Sequence, residues 1–170
     1  MIGSTIDEFR KKANLEELAN KIFEMHAEHI YFVGGGPNYS TALFAMAKFR
    51  ELKLAHSIAF ELEEFMHYGN IPLTPRDPCI IMSCGVSNQR ARDVIDLLKY
   101  MGARVMVLSD QDIGGDHNIV MPRVNEALSP ILCLAAIHDI MVSIAKKKHG
   151  DRIEVEHGEY ISKKIRAISQ

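Results

Sequence analysis

Four short apolar runs, at residues 30–33, 80–82, 105–108 and 119–121, constrain the fold more than any other feature of this chain. None alternates apolar with polar residues, which is the pattern of strands covered on both faces, as in a parallel sheet held between helices. Residues 55–60 form a fifth, weaker candidate in which apolar and polar residues mix. Helical patterns fill the gaps. Asn14 with Glu17 reads as a helix N-cap with its capping-box partner, and Leu15, Leu18, Ala19, Ile22 and Phe23 make one apolar stripe. Leu43, Ala47 and Phe49 recur at near-helical spacing. So do Val94, Leu97, Leu98 and Met101, before Gly102 as a C-terminal stop. Ser129 and Pro130 read as the N-cap and first position of a long apolar helix that runs into Lys146, Lys147 and Lys148.

Strands alternating with helices imply right-handed crossovers and a doubly wound α/β sheet. With 170 residues against a usual ~150 per domain, the expectation is one domain. It divides into an N-terminal helix over about residues 5–28, a sheet-helix core over about 29–148 and a charged tail over 149–170.

Composition narrows the function classes. The 20 basic and 22 acidic residues nearly cancel, so no polybasic surface for nucleic acid or membrane is expected. Cys79, Cys84 and Cys133 are odd in number and contain no CxxC pair, which suits a reduced setting. The first residues lack the charged and apolar segments of a secretory signal, and no run reaches the ~18 consecutive apolar residues of a membrane span. A cytoplasmic location follows as the expectation. No metal is expected either: His26 and His29 have HxxH spacing but no third ligand nearby.

In an open α/β sheet, ligands bind beyond the carboxyl ends of the strands, so the loops after the apolar runs carry the chemistry. After Val33 come Gly34, Gly35, Gly36, Pro37, Asn38, Tyr39 and Ser40, opening a helix. The glycines admit close backbone approach, the helix start offers free N–H groups to an anion, and Asn38 and Ser40 add side-chain donors. A nucleotide cofactor is not indicated, because Tyr39 stands where the dinucleotide fingerprint needs its third Gly and no Gly-Lys-Ser/Thr follows. A tight strand-to-helix turn explains the same residues. After Met82 come Ser83, Cys84, Gly85, Val86, Ser87 and Asn88, a second phosphate cradle or a simple N-cap. Two such loops together suggest a small phosphorylated ligand. The third feature is acidic: Glu51, then Glu61, Glu63, Glu64 and His67. Glu64 and His67 share a face if helical, giving a carboxylate and an imidazole for proton transfer, or a solvated acidic face. Asp116 with His117, and His138 with Asp139, are weaker acid–imidazole pairs; the second interrupts an apolar helix, where buried hydrogen bonding is the simpler reading.

Taken together, Tyr31 to Leu43 through the glycine run, Ala47-Lys48-Phe49-Arg50-Glu51, Glu64-Phe65-Met66-His67 and Leu128-Ser129-Pro130-Ile131 resemble the SIS (sugar isomerase) domain family. The likeness is strongest to the second such domain of the isomerase half of glucosamine-6-phosphate synthase, and extends to fructosamine-phosphate deglycases. It covers about residues 28–165. It implies a five-stranded parallel sheet flanked by helices, and proton transfer on a sugar phosphate with no cofactor. The implied catalytic residues are Glu51 as the proton carrier, His67 assisting ring opening from a neighbouring subunit, Lys48, and Lys163 on the tail, with Lys164 adjacent. Gly35, Gly36, Asn38, Tyr39, Ser40, Glu64, Ser83 and Ser87 are the expected substrate contacts. A homodimer or homotetramer with sites at subunit interfaces is implied. The chain departs from the family at Phe44, which replaces a Glu, and at Cys84 and Val86 in the phosphate loop. A non-catalytic sugar-phosphate sensor, or one subunit of a two-part enzyme, stands as the alternative.

Overall fold

The structure, a computed structural model, describes residues 2–150. Five strands form one fully parallel sheet: β1 (His29–Gly34), β2 (His56–Glu61), β3 (Pro78–Ser83), β4 (Arg104–Ser109) and β5 (His117–Val120). Their order is β2-β1-β3-β4-β5. The weak run at 55–60 is therefore a true strand at one edge. Its mixed composition follows, since only Ser57 in it is fully buried. The helices are α1 (Ile2–Lys12), α2 (Leu15–Glu24), α3 (Tyr39–Glu51), the single turn α4 (Leu62–Glu64), α5 (Asn88–Tyr100) and α6 (Ser129–His149). The single helix expected over 5–28 is instead two, because Asn14 restarts the chain by accepting a hydrogen bond from the Glu17 N–H at 3.3 Å.

Side chains of a strand alternate between the two faces, and each face has its own core. Ile30, Phe32, Ile80, Met82, Met106 and Leu108 meet α1, α2, α3 and α6. Tyr31, Val33, Cys79, Ile81, Val105 and Val107 meet the buried stripe of α5. That stripe is Ala91, Val94, Ile95 and Leu98; Leu97 and Met101 sit at its margin. In α3 the buried face is Thr41, Ala42, Ala45 and Phe49, whereas Leu43 and Ala47 point outward, contrary to their place in the sequence stripe. α3 is apolar nearly all round, so periodicity cannot choose its inner face.

By length and apolarity alone the stretch Glu126–His149 would suffice to cross a membrane, although no long unbroken apolar run marks it in the sequence. Its apolarity is used by the core: Leu132, Ala136, Ile137 and Ile140 are fully buried against the sheet. Asp139 receives a bidentate pair from Arg10 at 2.5 and 2.6 Å, tying α1 to α6, while His138 stays exposed. The helix begins one residue earlier than its cap pattern suggests. Ser129 is already helical, and its hydroxyl turns back to the Glu126 carbonyl at 2.7 Å. At the far end Lys148 and His149 bond the Leu54 and Leu52 carbonyls, each at 2.8 Å, closing the C-terminus of α3.

β4 and β5 are parallel yet joined by residues 110–116 alone, with no helix. Seven residues in extended form reach roughly 23 Å, enough to run back along a short strand. Gly115 makes that possible, since a Cβ there would lie 2.5 Å from Val107 Cγ2.

Candidate functional site

In the order 2-1-3-4-5 the chain winds one way from β1 and the other way from β3. The crevice at their carboxyl ends is the topological switch point. Gly34 pairs with Met82 there, and the Gly35 N–H donates to the Met82 carbonyl at 2.8 Å. Both loops predicted to bind an anion open from this spot. Each makes one 3-10 turn, Gly36–Asn38 and Gly85–Ser87, and then enters a 13-residue helix.

The loops touch. A Cβ added to Gly35 would stand 2.8 Å from Leu62 Cδ1, 2.9 Å from Ser87 Cβ and 3.0 Å from Ser83 Oγ. Gly36 has φ of +53°, and a Cβ there would meet Ser87 Oγ at 2.9 Å. Glycine is thus needed at 35 for space and at 36 for both space and backbone conformation. Asn38 is fully buried and donates to Ser129 Oγ at 2.8 Å, locking the start of α3 to the start of α6. Its Oδ1 has no partner. Ser40 bonds the Pro37 carbonyl at 2.8 Å and steadies the turn, and Tyr39 is half-buried against the core. Ser83 is fully buried at the end of β3, and its hydroxyl is likewise unpartnered.

Glu126 and Asp110, neither of them singled out by sequence reasoning, complete this edge. The Ser87 hydroxyl donates to Glu126 Oε1 at 2.6 Å, and the Val86 N–H donates to Glu126 Oε2 at 3.1 Å. Asp110, the residue following β4, accepts from the Gly85 N–H at 3.3 Å and from Asn88 Nδ2 at 2.7 Å. Asn88 is buried and also accepts from Ser109 Oγ at 3.1 Å, so it is a bridge between β3 and β4 loops and not a helix cap. The strand-end rule could have found Asp110. Nothing local marks Glu126, which lies 40 residues from its partner Val86.

His67 sits beyond the carboxyl end of β2 on a π-helical turn, Phe65–Gly69. Such turns are uncommon and often functional. Its cause is visible. Phe65 packs among Tyr31 and Phe60, Gly69 lies where a Cβ would stand 3.0 Å from the Phe60 ring, and Asn70 Nδ2 satisfies the Phe65 and Met66 carbonyls at 2.6 and 2.9 Å. The wider turn changes the expected pairing. Glu63, not Glu64, lies nearest the imidazole, with Oε2 4.0 Å from His67 Nε2. Glu64 closes a reciprocal capping box with Glu61. Glu63 also takes a 2.7 Å bond from Arg90 at the start of α5, and this guanidinium holds its carboxyl below the usual range.

Glu51 and Lys48 are elsewhere. They pair at 2.5 Å on the last turn of α3, and the Lys48 ammonium also stands 5.9 Å from the centre of the Phe44 ring. α3 runs back from the strand ends, so its 13 residues place Glu51 about 18 Å from the glycine loop. Within one chain, Gly35, Gly36, Ser83, Ser87 and the His67 turn lie at the carboxyl ends of the strands, and Glu51 with Lys48 lies toward the opposite end. Lys163 and Lys164 lie outside the described residues.

Among the described residues no group of three metal-ligating side chains is assembled. His117 is beside Lys21 at 3.1 Å, and Asp116 accepts from the Val105 N–H at 2.8 Å; the two do not pair. Cys79, Cys84 and Cys133 are buried free thiols. The hydrogen bond from Cys133 lowers the Cys84 pKa, while burial raises those of Cys133 and Cys79.

Comparison with known proteins adds three likenesses and a family match. The SIS domain family matches residues 15–132. The glutamine–fructose-6-phosphate aminotransferase (isomerizing) of Escherichia coli O6:H1 strain CFT073 is 28% identical over 144 residues. The match covers 81% of this chain and 23% of the relative, so this chain spans about a quarter of that enzyme's length. The C-terminal domain of glucosamine-fructose-6-phosphate aminotransferase from Francisella tularensis superposes with a TM-score of 0.76 at 15% identity, covering 89% of this chain and 44% of that one. The NanR protein of Vibrio vulnificus, solved with ManNAc-6P, gives 0.71 at 12% identity over 97% and 64% of the two chains.

Proposed function

This chain belongs to the SIS domain family, and from that premise we propose that it binds a sugar phosphate at the β1/β3 crevice. We further propose that it catalyses aldose–ketose isomerisation, or the related deglycation of a fructosamine phosphate. The observation that carries the binding is the contact between the two loops: Gly35 and Gly36 on one side, Ser83 and Ser87 on the other, with the buried Ser83 hydroxyl unpartnered. A phosphate anchored there holds the sugar so that its reacting carbons project away from the loops.

The proton step uses Glu51. Its carboxylate takes the proton from the carbon next to the carbonyl as the carbonyl oxygen gains a proton, giving an enediol. Glu51 then returns its proton to the former carbonyl carbon while the other enediol hydroxyl gives up its proton and becomes the new carbonyl. The Lys48 ammonium at 2.5 Å supplies positive charge near the developing oxyanion. Glu51 of one chain cannot serve the crevice of the same chain across about 18 Å of helix, so the working site draws Glu51 and the crevice from different SIS units. A homodimer or homotetramer provides them. The outward apolar residues Leu43 on α3 and Leu128, Ile131 and Leu134 at and near the start of α6, all 38–45% exposed, suit such an interface. The single unit covers the whole chain, with a cytoplasmic setting and no cofactor.

A second reading, a non-catalytic sensor of sugar phosphates, is favoured by Phe44 and by the exposure of Glu51, whose side chain is 59% accessible. NanR, solved with ManNAc-6P, shares the fold. Thermal shift against hexose and pentose phosphates, run beside an isomerisation assay, separates them. The enzyme reading expects both a shift and product, with Glu51→Gln retaining the shift and losing turnover. A shift without product selects the sensor, and no shift with any sugar phosphate refutes both.

A further inference from the structure

The 85–87 loop already holds an anion, and the anion is the chain's own. We propose that the Glu126 carboxylate is a displaceable internal occupant of this cradle, and that Glu126 thereby decides whether the loop accepts a phosphoryl group. The proposal rests on the sugar-phosphate reading above and adds to it the competitor that the ligand must replace.

Glu126 uses both oxygens, Oε1 on the Ser87 hydroxyl at 2.6 Å and Oε2 on the Val86 N–H at 3.1 Å. These are the loop donors that a phosphate would take at the start of α5. The fit is close, since a Cβ on Gly85 would lie 2.8 Å from Oε2 and one on Gly36 would lie 3.3 Å from Oε1. Yet a carboxylate has two oxygens, and the cradle has a third donor left over. Ser83 Oγ is fully buried, has no partner, and faces the same narrow space between Gly35 and Ser87. An unmet buried hydroxyl costs free energy. A phosphoryl group has three terminal oxygens, one each for Ser87, Val86 and Ser83. It satisfies the site more fully than the carboxylate that occupies it.

Charge opposes entry while Glu126 stays. Asp110 stands beside it on the Gly85 N–H, so a dianion approaching the loop meets two carboxylates. Departure of Glu126 needs no backbone movement. Its carbonyl is held by Ser129 Oγ, whereas its side chain is on a partly exposed 3-10 turn, Glu126–Leu128, from which rotation leads to water. Asp110 remains, anchored by Asn88.

The test is calorimetric titration of the full chain and its Glu126→Gln and Glu126→Ala variants with inorganic phosphate and, separately, fructose 6-phosphate. Thermal denaturation shows that each variant is folded. Removing the charge-assisted bonds of Glu126 frees donors worth a factor of about ten or more in affinity. Both variants should therefore bind inorganic phosphate at least tenfold more tightly than the parent chain, and adding Ser83→Ala to Glu126→Ala should cancel much of that gain. A folded Glu126→Ala that binds phosphate no more tightly overturns the proposal, as does a gain that Ser83→Ala leaves untouched. If the variants gain phosphate affinity but no form of the chain binds fructose 6-phosphate or any other sugar phosphate, the internal anion stands and the sugar-phosphate reading falls. If the parent binds sugar phosphates and the variants bind them equally, the reverse holds.

Discussion

Gly35→Ala is the sharpest probe of how the two loops are packed. Gly35 has φ of −87° and ψ of +128°, an extended conformation that alanine adopts freely, so any cost is steric. The added methyl carbon would meet three atoms at 2.8, 2.9 and 3.0 Å. One is the flexible end of Leu62, which can turn aside. The other two, Ser87 Cβ and Ser83 Oγ, belong to the neighbouring loop and move only if that loop moves. Overpacking of this kind costs about 1–3 kcal/mol, and the loss of unfolded-state freedom on replacing Gly returns about 0.4–1 kcal/mol. The net is a destabilisation of about 1–2 kcal/mol, or roughly 2–8 °C in Tm for a domain of this size. Gly102→Ala is the control. Its φ is +76° with nothing within 4 Å of the added carbon, so its cost is conformational and confined to the end of α5. Calorimetric melting reads both variants. Gly35→Ala should also weaken fructose 6-phosphate binding, which Gly102→Ala should leave alone. A Gly35→Ala protein that melts with the parent would show that the two loops do not close on each other, and the crevice as described would be wrong.

Two further outcomes follow from the same edge. Asn38→Ala removes the buried bond to Ser129 that joins α3 to α6 and should cost about 1–3 kcal/mol by urea denaturation; a neutral result would mean that the two helix starts are held by packing alone. The Glu63 carboxyl is held low by its hydrogen bond from Arg90. A depressed carboxylate pKa gives stability that is present above the unfolded value and lost as pH falls through the folded one. The stability gap between the parent and Glu63→Gln should therefore be present at pH 7 and shrink on acidification through the carboxylate range. A gap that grows toward acid would reverse the sign and refute the assignment.

The fold is legible because its strongest signals are local. Unbroken apolar runs such as 80–82 and 105–108 have only one comfortable place, a strand covered on both faces. Glycines before helix starts mark where those strands end. The switch-point crevice and its two loops follow from that alone. The edge strand β2 is weaker in the sequence for the reason that it is an edge: fewer of its residues need to be apolar. In α3 the inward face escapes sequence reasoning because Leu43 and Ala47 are as apolar as the residues that are buried, and only the docking of the helix on β1, β2 and α6 distinguishes them.

The residues of the candidate site divide along the same line. Sequence alone picked out Gly35, Gly36, Asn38, Ser83 and Ser87 as candidates, since small residues and hydroxyls after a strand are read from neighbours along the chain. Lys48 and Glu51 came from the family resemblance, and their ion pair one helical turn apart is a finding of the structure. Tertiary structure alone decided what faces what. It inserted Glu126 into the 85–87 loop from 40 residues away and substituted Glu63 for Glu64 beside His67 through one π turn. It also set Glu51 a helix length from the crevice it was expected to serve. Spacing along a chain reports only contacts within a turn or a strand. Contacts between loops depend on strand order and helix direction, which follow from burying both faces of the whole sheet at once.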